Sequence, residues 1–164
     1  MKLMWFCVLF ICIMFPGFCE TIYVYTHEMC DEEPVPYDYQ VKEGLLDGLF
    51  EAGHIVFDDV NDSFLPDLIT TENIDTLIIT ARTSGAYYLL AVRIVSHMQD
   101  DTNPKIIEST AVYYLYDVMT REIVKQGNTT IDNAGDMGLG KKKFWFELGL
   151  FISEEISRVY EEKE

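Results

Sequence analysis

Three segments typical of β-strands follow one another closely in the second half of the chain, and they limit the folds open to it. Ala86–Met98, Ile106–Val118 and Glu122–Ile131 are all rich in β-branched and aromatic residues. Only a short polar loop, Gln99–Pro104, and a tight turn, Met119–Arg121, separate them. A parallel connection needs a long crossover, so links this short favour antiparallel pairing. The sequence therefore predicts an antiparallel meander.

The first half of the chain alternates strand-like and helix-like segments. Thr21–Thr26 is predicted as a strand, Tyr37–Ala52 as a helix with its apolar residues on one face, and Ile55–Phe57 as a short strand. A strand, a helix and a second strand in this order favour parallel pairing. Asp75–Arg82 is apolar on both faces, which is typical of a central strand, and we predict a third strand there.

A long amphipathic helix is predicted at the end of the chain, over Lys141–Glu162. The segment Asn61–Asn73 is ambiguous and could hold a short helix capped by Ser63. The predicted order is β-α-β-(α)-β-β-β-β-α. We therefore expect the α/β (α+β) class, with a single mixed sheet and helices packed on it, in one domain over residues 20–164.

The N-terminal residues have the pattern of a secretory signal peptide. Lys2 is followed by the apolar run Leu3–Phe15, then Pro16 and Gly17 break the run before Cys19. The run is shorter than the roughly 20 residues that span a bilayer as a helix. We expect cleavage after Cys19 and export to the periplasm or the extracellular space. Two alternatives stay open, namely an uncleaved N-terminal anchor and a lipid attached to Cys19.

The charge of the chain restricts its partners. There are 28 acidic residues against 12 Lys and Arg, and the formal net charge is −16. Such a chain repels nucleic acid and anionic lipid headgroups, so we expect no nucleic-acid partner and membrane contact only through lipidation at Cys19. After cleavage, Cys30 would be the single remaining cysteine. No disulfide framework is predicted, and Cys30 could pair with another chain or lie buried.

No motif in the sequence predicts catalysis. The segment Gly135–Lys142 is nearly a phosphate-binding loop, but Lys142 occupies the position that needs Ser or Thr. His27 and Cys30 are too few for a closed metal site. No serine or cysteine has the context of a nucleophile; Ser84 beside Gly85 is predicted to lie in a turn. We therefore expect no enzyme, no cofactor and no metal.

Tyrosines concentrate on two of the predicted strands and form the candidate binding surface. Exposed tyrosines on a sheet make good contact surfaces for protein or glycan, because each has an apolar ring and a polar tip. Alternation sends neighbouring tyrosines of one strand to opposite faces, one of them covered by helices. Ordinary cross-strand packing is the alternative interpretation. The candidate residues are Tyr87, Tyr88, Tyr113, Tyr114 and Tyr116.

Three stretches together resemble a known periplasmic domain. Val41–Phe57 resembles its helix ending in glycine before a strand, Asn73–Arg82 its element of an aspartate followed by an apolar strand, and Ala111–Gly127 its hairpin. Asp117 and Thr120 fit that hairpin, whereas Arg121 stands where the family prefers glycine. The sequence resembles the α/β domain of the TolB N-terminal region, of CsgG and of LpoB.

The resemblance implies a binding or assembly role in the cell envelope and carries over no catalytic residue. We therefore expect an exported, non-catalytic envelope protein that docks onto a protein partner in an assembly or accessory role. The alternative is an exported binding module for a small molecule or glycan, using the tyrosine-rich face of the sheet.

Overall fold

The structure is a computed structural model, and it describes residues 19–30, 33–34, 40–58, 71–99, 105–132 and 141–161. The predicted signal segment before Cys19, most of the ambiguous segment Asn61–Asn73 and the glycine-rich loop before Lys141 lie outside these ranges. The helices are α1 (Gln40–Glu51), α2 (Thr71–Thr83) and α3 (Lys141–Glu161). The strands are β1 (Thr21–Cys30), β2 (Glu33–Pro34), β3 (Ile55–Asp58), β4 (Tyr88–Gln99), β5 (Lys105–Asp117) and β6 (Ile123–Asp132).

The described strands form one mixed sheet in the order β2-β1-β4-β5-β6, and β3 also pairs with β1. Strand β1 runs parallel to β3 and β4, whereas β4, β5 and β6 form the predicted antiparallel meander. The predicted class, a single mixed sheet with helices packed on it, is confirmed.

Helices α1 and α3 cover one face of the sheet. They pack on each other and on alternate residues of β1, β4 and β5. This is the larger core, and it follows from the apolar stripes of both helices. Its fully buried side chains include Ile22, Leu45, Leu49, Leu90, Ile94, Leu115, Ile152 and Ile156.

Helix α2 covers only part of the opposite face. Leu77, Ile78 and Ala81 of this helix pack against Tyr23 and Leu89 of the sheet. The remainder of that face extends along β4 and β5 beyond the helix, and it holds the cavity described below.

The predicted strand over Asp75–Arg82 is wrong, because these residues belong to helix α2. Leu77, Ile78 and Ala81 are buried at the spacing of one helical face, whereas Ile79 is 56% exposed. A short apolar run cannot be assigned to strand or helix by periodicity alone. The threonine hydroxyls are accommodated within the helix by hydrogen bonds to carbonyl groups of the preceding turn. Thr80 Oγ1, for example, donates to the Thr76 carbonyl at 3.0 Å. The part of the family resemblance that assigned Asn73–Arg82 to a strand is wrong for the same reason. Because no strand forms there, β1 pairs directly with β4.

Among the described residues, no helix combines the length and the apolar character that crossing a membrane requires.

Candidate functional site

Two of the five candidate tyrosines lie on the face covered by α1 and α3. Tyr113 is 4% exposed, and a Cβ atom at Gly127 of β6 would lie 2.2 Å from its hydroxyl oxygen, so that glycine makes room for the ring. Tyr88 packs edge-on against Tyr160 of α3, with ring centroids 5.5 Å apart. Burial raises the pKa of both Tyr88 and Tyr113. Their rings are part of the core and present little surface to a partner.

Tyr114 and Tyr116 lie on the opposite face of the sheet, as alternation along β5 requires. Their ring centroids are 6.2 Å apart. Tyr116 packs beside the smaller core that α2 forms with the sheet. Burial raises the pKa of Tyr116, and the nearby Tyr114 hydroxyl raises it further. Tyr114 lines a cavity. These two are the candidate tyrosines that the structure brings together on the partly open face.

Tyr87 lies apart from the other four, just before β4 begins. Its side chain is 60% exposed, and its carbonyl accepts a hydrogen bond from the Val118 N–H at 2.9 Å. Met119, in the turn between β5 and β6, and Ile123, the first residue of β6, are 64% and 47% exposed. We call Tyr87, Met119 and Ile123 the hairpin-end patch, because all three come from the same end of the sheet.

A cavity of about 200 Å³ lies between Ile74 of α2 and the residues of β4 and β5 that face it. Strands β4 and β5 form its floor through three cross-strand pairs, and Ile74 of α2 borders it. We call it the α2–sheet cavity. The floor pairs are Ala91 with Tyr114, Arg93 with Val112, and Val95 with Thr110.

Arg93 is the cationic group of this cavity, and the sequence analysis missed it. Its Nη2 lies 3.7 Å from the Met29 sulfur, a weak acceptor, and its buried Nε has no hydrogen-bond partner. The available signal was the alternation of β4, in which Arg93 interrupts a face otherwise made of Leu89, Ala91 and Val95. That signal predicts a polar position on one face but cannot say that this position lines a cavity.

The structure says less about the other residues that the sequence analysis considered. Cys19 is exposed at the start of the described chain, and its lipidation stays a prediction. His27 is buried on β1. No three His, Cys, Asp or Glu side chains of the described ranges are grouped so that they could hold a metal ion.

Comparison with known proteins gives a likeness of fold. The chain matches no protein-family model and no curated protein. Among solved structures it is similar to the PelC dodecamer from Paraburkholderia phytofirmans, with a TM-score of 0.56 and 13% identity over 85% of this chain and 86% of PelC. It is also similar to protein XCC0632 from Xanthomonas campestris, with a TM-score of 0.52 and 8% identity over 92% of this chain and 90% of that one.

The LpoB C-terminal domain from Salmonella enterica is among the matches as well, with a TM-score of 0.49 and 18% identity over 69% of this chain and 82% of that domain. This domain is one of those that the sequence resembles. Further matched structures are described as lipoproteins. At these identities the matches concern the fold and not the activity.

Proposed function

We propose that this chain is an exported, non-catalytic protein of the cell envelope that acts by docking onto a protein partner. The signal-like N-terminus supports export, and the fold shared with PelC and LpoB supports an accessory or assembly role. PelC forms a dodecamer, so a second copy of this chain is one partner to consider.

The observation that carries the proposal is the hairpin-end patch. Tyr87, Met119 and Ile123 each expose a large apolar side chain at the same end of the sheet, although 28 acidic residues make the chain strongly charged overall. Exposed apolar groups that cluster rather than scatter are typical of interaction surfaces. Tyrosine and methionine are also enriched in the cores of protein interfaces. The patch therefore fits a protein partner with an apolar contact surface.

Site-specific photo-crosslinking in the native host tests this proposal. A photoreactive phenylalanine analogue replaces Tyr87 or Met119 in separate strains, and crosslinked products are identified by mass spectrometry. We expect one discrete product from both positions, containing the same partner chain. Phe151 is the matched control, because it is an exposed apolar residue on α3, which packs on the other face of the sheet.

Two results would contradict the docking proposal. One is the absence of a discrete product from both Tyr87 and Met119 under conditions in which the variants are exported and folded. The other is an identical set of products from the Phe151 control, since that would mean random collision. A product containing only this chain would identify the partner as a second copy.

The export part of the proposal has its own test. An intact mass of the protein from its host, with cell fractionation, distinguishes the alternatives at the N-terminus. A mass that begins at Glu20 without modification supports cleavage and release. A mass that includes Cys19 with acyl chains, found with membranes, would replace this with a lipid-anchored form.

A second candidate function is the binding of a small molecule or glycan on the tyrosine-bearing face of the sheet. The α2–sheet cavity favours it, because Tyr114 lines a concave space between α2 and the sheet. Concave and mostly apolar sites with a few polar groups are the usual form of small-molecule sites.

A further inference from the structure

We infer that the α2–sheet cavity binds a small monocarboxylate with an unbranched apolar chain, and that Arg93 holds its carboxylate. The inference rests on the second candidate function above and names its ligand class. It is independent of the hairpin-end patch.

The described part of the chain gives Arg93, a half-buried cation, no anionic partner. Arg121 pairs with Asp75 at 3.2 Å, and Arg158 pairs with Glu155 on the surface of α3. Within the described residues no carboxylate lies at ion-pair distance from Arg93, although the chain contains 28 acidic residues. A cation removed from water without an acceptor is unfavourable, and its Nε donor is left without a bond. An anionic ligand would supply both the missing negative charge and an acceptor for the Nε donor.

The guanidinium geometry selects a carboxylate. Arginine presents planar, paired N–H donors that match the two oxygens of a carboxylate, and such charge-assisted pairs are about twice as strong as neutral hydrogen bonds. The net charge of −16 opposes every anion, and it opposes a doubly charged phosphate ester more than a singly charged carboxylate. A single negative charge is therefore the better match.

The rest of the lining selects an apolar chain. Ile74, Ala91, Val95 and Val112 supply hydrocarbon, and apart from Arg93 the polar side chains of the lining are Thr110 and Tyr114. A sugar would leave most of its hydroxyls without partners in such a lining. At about 200 Å³ the cavity is smaller than the roughly 300–1,000 Å³ of drug-sized sites, so it suits a slender chain.

Calorimetric titration of the purified protein with octanoate, octanol and octylamine tests the inference. The three probes share one chain and differ in head group. We expect octanoate to bind at least about tenfold more tightly than octanol, as a hydrogen-bonded charge at the arginine requires. Octylamine should bind more weakly than either. Shortening octanoate to hexanoate should weaken binding about fourfold for each methylene removed.

Three variants connect binding to the cavity. Arg93→Met keeps the apolar stem and removes the charge, so it should lower octanoate affinity to that of octanol and leave octanol unchanged. Arg82→Met removes an exposed arginine of α2 and should change nothing, which controls for net charge. Val112→Phe adds bulk opposite Arg93 and should abolish binding of both probes while Arg93 stays in place. Thermal unfolding verifies that each variant is folded.

The outcomes separate this inference from the second candidate function. If octanol binds as tightly as octanoate, or if Arg93→Met leaves octanoate binding unchanged, the carboxylate assignment is wrong while a small-molecule cavity remains. If none of the probes binds to the wild-type protein at millimolar concentration, the inference and the cavity's role both fail. If Val112→Phe binds octanoate normally, the ligand lies elsewhere and the inference is overturned.

Discussion

The turn between β5 and β6 depends on two residues with different roles. Asp117 Oδ1 accepts hydrogen bonds from the backbone N–H groups of Met119 and Thr120, both at 2.8 Å. Arg121 follows with φ of 62°, a left-handed conformation that L residues other than Asn and Asp rarely adopt. Glycine would adopt this conformation freely, so the arginine carries a conformational cost here.

Replacing Arg121 should reveal that cost. Arg121→Gly and Arg121→Ala both lose the exposed ion pair with Asp75, so their difference isolates the backbone conformation. We expect the glycine variant to be more stable than the alanine variant by about 1 kcal/mol, because glycine adopts positive φ freely. Urea denaturation measures both. An alanine variant at least as stable as the glycine variant would contradict the argument.

His54 is a buried titratable residue next to the aromatic cluster of the larger core. Its ring centroid lies 4.9 Å from that of Tyr160, and burial lowers its pKa from the ordinary value of 6.5. The folded protein therefore favours neutral His54 more strongly than the unfolded chain does.

This difference makes stability depend on pH in a defined direction. The stability that neutral His54 contributes is present above pH 6.5 and is lost as the pH falls through its lowered pKa in the folded state. We expect the free energy of unfolding to decrease over this interval, and to decrease less in His54→Leu. Equal decreases in wild type and His54→Leu, measured by urea denaturation, would exclude His54 as the cause.

At the level of elements, the contact between α1 and α3 depends on two glycines. A Cβ atom at Gly149 would lie 2.2 Å from the Val41 carbonyl oxygen, and one at Gly44 would lie 2.1 Å from the Phe146 carbonyl oxygen. Backbone atoms cannot move aside as side chains can. The glycines therefore determine how closely the two helices approach, and with it the packing of the larger core.

Gly149→Ala should destabilise the protein despite the better helix propensity of alanine. Forcing two packed helices apart costs about 1–3 kcal/mol, which exceeds the roughly 1 kcal/mol that alanine gains over glycine in a helix. Asp47→Ala, on the exposed side of α1, is the control and should stay near the wild-type stability. If urea denaturation gave Gly149→Ala the wild-type stability, the close approach of the helices would be dispensable.

At the level of the whole molecule, charge opposes folding. The net charge of −16 means that the acidic side chains repel one another more strongly in the compact folded state than in the unfolded chain. Favourable ion pairs, such as Lys42 Nζ to Asp58 Oδ2 at 2.7 Å, act only between near neighbours. Dissolved salt screens long-range repulsion beyond a Debye length of about 10 Å at 0.1 M ionic strength. Partly buried pairs are screened much less.

Added salt should therefore stabilise the protein. We expect the urea midpoint to rise between about 0.01 M and about 0.5 M sodium chloride, because the screening length shortens several-fold over this range. Tetramethylammonium chloride should give a similar rise, since screening does not depend on the cation. A midpoint that falls with salt would mean that the local ion pairs contribute more than the overall repulsion costs.

The candidate site was predictable in part. Alternation along β5 correctly separated Tyr113 from Tyr114, because neighbouring side chains of a strand point to opposite faces. It could not say which tyrosine rings the helices cover, since that depends on where α1, α2 and α3 lie. Arg93 was missed for the same reason, since its place in the cavity depends on how α2 packs against β4 and β5.

The sequence by itself determined strands β1, β3, β4, β5 and β6, helices α1 and α3, and the mixed class of the sheet, because side-chain periodicity and short links are local properties. It misassigned Asp75–Arg82, whose apolar residues fit a buried strand as well as one face of a helix. Tertiary structure decided that assignment, since burial against Tyr23 and Leu89 selects the helical spacing of Leu77, Ile78 and Ala81. It also decided the position of the cavity, which depends on how α2 packs against β4 and β5.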